Sequence, residues 1–73
     1  MSIPELVPVS SSNIESVGYD AENECVYVKY INQSIYVYKG VSQTEYDNLL
    51  YAPSVGSYMH RNFKNVYPYE RVS

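Results

Sequence analysis

The sequence predicts a small α+β domain: a three-stranded antiparallel β-meander with two C-terminal helices packed on one face and a short extended tail. Three observations carry this. Residues 14–39 hold runs rich in β-branched and tyrosine residues, broken twice by short polar turns. The segment Ser42-Gln43-Thr44-Glu45 is a capping box that opens a helix, and Pro53-Ser54 separates that helix from a second. Finally, ten of the 73 residues are tyrosine, against one phenylalanine and no tryptophan. Tyrosine fills a core, yet its hydroxyl needs water or a partner, so the aromatic layers should lie close to the surface.

Each element follows in order. Residues 1–9 hold two prolines and no periodicity, and read as an extended lead-in to a domain over residues 10–73. Ile14 to Tyr19 alternates as a strand, with Ile14, Ser16 and Gly18 on one side and Val17 and Tyr19 on the other. Asp20 to Asn23 is a turn. Glu24 to Ile31 is the clearest strand, with Val26, Val28 and Tyr30 on one face. A loop of Asn32, Gln33 and Ser34 returns the chain into Ile35 to Lys39, which sets Tyr36 opposite Tyr30 and Tyr38 opposite Val28.

After Gly40-Val41, the first helix should begin at residue 43 and turn Tyr46, Leu49 and Leu50 inward. The second, capped by Ser54, presents Val55, Met59, Phe63 and Val66 at helical spacing and stops near Asn65. Pro68 then forces an extended tail.

Composition narrows the function classes. A chain this short is one domain, whose core supplies only about 3–5 kcal/mol without a staple. The lone Cys25 excludes an internal disulfide and, with no signal peptide, points to a reducing, cytoplasmic setting. Apolar runs fall far short of the roughly 20 residues of a membrane helix, so no membrane partner is expected. Net charge is −3, and it is uneven. Through residue 59 two lysines face seven carboxylates, whereas residues 60–73 hold Arg61, Lys64 and Arg71 against Glu70 alone. The positive end is a candidate anion-facing patch.

The ordered set Ser11-Ser12, Val17-Gly18-Tyr19-Asp20, Val26-Tyr27-Val28-Lys29-Tyr30, Tyr36-Val37-Tyr38, Gly40-Val41, Tyr46, Leu50, Ala52, Ser54-Val55-Gly56 and Tyr67-Pro68-Tyr69-Glu70-Arg71 resembles the KTSC domain. That domain is named for the C-terminus of some lysyl-tRNA synthetases and also occurs as a free-standing bacterial or phage protein. Its hallmark Tyr-x-Tyr corresponds here to Tyr36 and Tyr38. Ser54 and Gly56 also fall within the family pattern, with a structural role. The resemblance implies no established activity; RNA binding is a suggestion attached to its synthetase context.

No nucleophile with a base, carboxylate pair or metal-ligand cluster is legible, so neither an enzyme nor a cofactor is expected. Two binding readings stand. The first is RNA, gripped by Arg61, Lys64 and Arg71 with Tyr67 stacking beside them, helped by Tyr27 and Lys29. The second is a protein partner or a homodimer on the outer sheet face of Tyr27, Ile31, Ile35 and Val37, which is too apolar for a fully solvated face unless the N-terminal segment covers it. Tyr36 and Tyr38 read as core beneath the helices; a base-stacking role would require the helices to pack elsewhere.

Overall fold

The computed structural model describes residues 3–73. Five strands, not three, form one antiparallel sheet in the order β1-β2-β3-β4-β5. The predicted meander is its centre: β2 (Ile14–Asp20), β3 (Cys25–Tyr30) and β4 (Ile35–Lys39). The two added strands come from segments read as lead-in and tail. β1 (Val7–Pro8) pairs with β2, and β5 (Tyr69–Arg71) pairs with β4. Neither is long enough to alternate visibly, and each follows or contains a proline. Short, proline-marked strands are what sheet edges favour.

Helices α1 (Gln43–Leu50) and α2 (Val55–Asn62) both lie on one sheet face. Their caps form as the sequence dictates, with the Ser42 hydroxyl accepting from the Glu45 N–H and the Ser54 hydroxyl from the Ser57 N–H. The second half of the expected capping box does not form. The Glu45 carboxylate instead accepts a 3.0 Å bond from the Tyr58 hydroxyl and so links α1 to α2. Asn65 takes a left-handed backbone, φ 67°, after α2 has ended. Beyond it Val66 turns out to solvent, and Tyr67 packs on Phe63 in its place at 5.2 Å.

The core gathers Ile14, Val17, Val26, Val28, Tyr38, Val41, Tyr46, Leu49, Val55, Met59 and Phe63. Ile14 departs from simple alternation. A bulge between Ile14 and Ser16 rotates it onto the helix side with Val17, leaving Ser16 and Gly18 on the outer face.

The β3–β4 loop also differs from expectation. Tyr30 pairs with Ser34 through its N–H, so the three loop residues are Ile31, Asn32 and Gln33. Gln33 takes the left-handed position at φ 78°, as three-residue hairpins require of their last residue. Tyr36 consequently stands opposite Val28, and Tyr38 opposite Val26, with the faces unchanged.

The chain's own N-terminal segment packs on the outer face at Gly18. A Cβ placed on Gly18 would lie 2.6 Å from the Glu5 carbonyl oxygen and 2.9 Å from Leu6 Cδ2. Only glycine admits this approach. Gly18 stands opposite Tyr27, which is 5% exposed; nearby Val37 is 4% exposed.

Candidate functional site

The two helices do not cover the whole sheet face. Between α2 and the end of the sheet at the β3–β4 hairpin runs a groove of about 360 Å³. Tyr30, Tyr36, Tyr38 and Tyr69 line its sheet side, and Met59, His60 and Lys64 its helix side. The β alternation puts these tyrosines on one face: Tyr38 is directly opposite Tyr69, and Tyr36 opposite Arg71. Their rings form one connected cluster. Tyr30 meets Tyr36 edge-on at 5.6 Å, and Tyr69 contacts Tyr36 at 6.0 Å and Tyr38 at 5.3 Å.

Depth varies within the cluster. Tyr38 belongs to the core, packed edge-on against Phe63 at 5.7 Å. Burial raises its hydroxyl pKa well above the usual tyrosine value, and the Tyr30 hydroxyl 3.4 Å away adds to the rise. It stays protonated at neutral pH. Tyr36 and Tyr30 are half-buried, and Tyr69 is 51% exposed. The hallmark pair therefore differs in depth: both tyrosines line the groove, Tyr38 from within the core and Tyr36 half-buried. Helix packing on this face leaves Tyr36 partly uncovered, because α2 does not reach across the groove.

A polar cleft adjoins the groove, lined by hydroxyls of the Ser11-Ser12 loop and of Ser54 and Ser57, with Arg61 at its side. Asn13, Gly56 and His60 line both. Gly56 does not pack on the sheet. Its missing side chain lets the first turn of α2 approach the Ser11–Asn13 loop, since a Cβ there would stand 3.1 Å from Asn13 Oδ1.

Electrostatics favour the same region. Lys29 is paired with Glu15 at 3.3 Å, and Lys39 with Glu70 at 2.6 Å. Among the described residues Arg61, Lys64 and Arg71 enter no ion pair, although the Arg71 Nε donates to the Ser73 carbonyl at 2.9 Å. The cations without a carboxylate thus stand on α2 (Arg61), just beyond it (Lys64) and on β5 (Arg71); Lys64 lines the tyrosine groove, Arg61 the adjoining cleft, and Arg71 stands opposite Tyr36.

Set against the expected residues, Tyr36, Tyr38, Gly56 and Lys64 meet at the groove, Ser54 and Arg61 at the adjoining cleft, and Arg71 beside Tyr36. Tyr27 does not join them, because it is buried on the other side of the sheet. Lys29 also projects from that side, held by Glu15, and Tyr67 is half-buried against Phe63. Of the outer-face set, Tyr27 and Val37 are covered, Ile35 is half-buried and only Ile31 is open, at 52%. Asn13, Asn32, Tyr30 and His60 are groove residues that the spacing did not single out. The two asparagines sit in turns, where no periodicity marks a shared site.

A sequence model of the KTSC domain matches residues 10–67. The chain belongs to the KTSC domain family. A KTSC domain protein of Yersinia pestis has the same fold, with a TM-score of 0.90 at 30% identity, over 94% of this chain and 97% of that one. An uncharacterized protein of Stutzerimonas stutzeri is 33% identical over 90% of this chain and 94% of its own length. A protein of Tsukamurella paurometabola is 34% identical over 73% of this chain and 79% of its own length. These relatives are themselves about the size of a single domain. No described helix of the KTSC domain is long and apolar enough to cross a membrane, and no group of three or more metal-binding side chains occurs among the described residues.

Proposed function

We propose that this KTSC domain is a non-enzymatic module that binds single-stranded RNA along the tyrosine groove. One observation carries the reading: in a chain of net charge −3, the cations without carboxylate partners flank an open, tyrosine-lined groove. Aromatic rings offer stacking surface to any base, and unpaired lysine and arginine hold the backbone phosphates. Tyr36 and Tyr69 are the stacking residues, and Arg61, Lys64 and Arg71 the phosphate contacts. The outer sheet face is a weaker platform for a protein partner, since its central Tyr27 and Val37 are already covered.

The test is an RNA titration followed by anisotropy at several salt concentrations. Three phosphate contacts predict a log–log salt slope of roughly −2 for a single strand, and Lys64→Ala or Arg61→Ala should each flatten it by roughly 0.7. Absence of binding to any single-stranded RNA at low salt overturns the proposal.

A further inference from the structure

Two asparagines line the groove with their amide oxygens already engaged. Asn32 Oδ1 accepts from both the Ser34 N–H, at 3.0 Å, and the Ser34 hydroxyl, at 2.6 Å. Because a backbone N–H can only donate, the oxygen of this amide is fixed toward its own loop, and the NH2 group is the end left over. Asn13 is arranged alike. The Ser11 hydroxyl oxygen accepts from the N–H groups of Asn13 and Ile14, so its proton is given to Asn13 Oδ1 at 3.1 Å.

Among the described residues neither asparagine NH2 has a partner. The two loops are tied side by side by the Ile31 N–H bond to the Asn13 carbonyl, 3.0 Å. Both asparagines line the tyrosine groove, and Lys64, which can only donate, lines its helix side.

We infer that the groove selects keto bases, uracil above all, over amino bases. The inference rests on the RNA-binding reading and adds what that reading leaves open, namely base preference. Uracil presents a carbonyl acceptor at position 4, where cytosine presents an amino donor of nearly the same size. An amide NH2 held in place bonds the first and faces donor to donor with the second. Tyr36 and Tyr69 offer a ring face to either base, and the hydrogen-bond discrimination falls to Asn32 and Asn13.

The experiment compares oligo(U) with oligo(C) of equal length by anisotropy, on the intact chain and on Asn32→Asp and Asn13→Asp. Aspartate keeps the oxygen that satisfies each loop but replaces the NH2 donor by an acceptor. Circular dichroism checks that each variant folds. The intact chain should prefer oligo(U) roughly fivefold, what one net hydrogen bond provides. Either variant should move the ratio toward one; the added negative charge weakens both ligands alike and leaves the ratio as the readout. Equal affinity for the two oligomers, or a ratio that neither variant moves, overturns base selection while leaving RNA binding in place. Failure of the intact chain to bind either oligomer, or any other RNA, removes the parent reading as well.

Discussion

Two tyrosine clusters occupy the same face of the same sheet and do different work. Under α1, Tyr19 and Tyr46 stack at 5.2 Å with ring planes 17° apart, and the Tyr19 hydroxyl donates to the Val41 carbonyl at 2.7 Å. Ring area and one polar tip are both satisfied inside the fold. Beside α2, Tyr30, Tyr36, Tyr38 and Tyr69 contact one another mostly by edges and tilts, and line an open groove. The difference is helix coverage. An eight-residue helix spans only about 12 Å, and two such helices cover the face over Tyr19 while leaving an open groove beside Tyr30, Tyr36 and Tyr69. Tyrosine suits both ends because it tolerates either a dry or a wet neighbour.

The strongest way to break the contrast is to remove the ring that joins α2 and the segment after it to the sheet. Phe63 is fully buried and touches Tyr38, Tyr58 and Tyr67. Phe63→Ala should cost about 3–5 kcal/mol, enough to unfold much of a domain this size, as read by urea denaturation. A loss below about 2 kcal/mol would mean that Phe63 is not the keystone of the closed region.

Next in size, Tyr36→Ala should weaken RNA binding by about 1–3 kcal/mol, the value of one stacked base, while the urea midpoint moves much less. A large fall in stability with RNA affinity retained would assign Tyr36 to the core instead. The smallest effect belongs to the closed pair. Tyr19→Phe deletes the bond to Val41 and keeps the ring, so stability should fall by about 1 kcal/mol with RNA affinity unchanged. A change in RNA affinity would show that the two clusters are coupled.

Local rules carried much of this. The Ser42 and Ser54 caps, the three central strands and the inward Tyr46, Leu49, Val55 and Met59 were legible because each depends on residues within a turn or two. Strands β1 and β5 were not, since two or three residues cannot display a period and their pairing depends on distant neighbours. The hairpin register slipped for a chemical reason: Asn32 draws Ser34 into the ladder and leaves Gln33 to take the left-handed position without a glycine. The positive C-terminal cations were visible as composition. That they flank a tyrosine groove was not, because it requires knowing where α2 stops covering the sheet. Burial of Tyr27 was likewise hidden, as it depends on its outer-face neighbour Gly18 receiving Glu5 and Leu6, a contact distant in sequence.

That same N-terminal segment has a consequence for where the domain can be cut. The stretch that matches the family, residues 10–67, omits both β1 and β5. A piece so trimmed would present β2 and β4 with bare N–H and C=O rows on both flanks, and an apolar outer face stripped of Glu5 and Leu6. Unprotected edges beside apolar surface are templates for chain-to-chain pairing. The short strands β1 and β5 thus cover the flanks of β2 and β4, although they contribute little to the hydrophobic core.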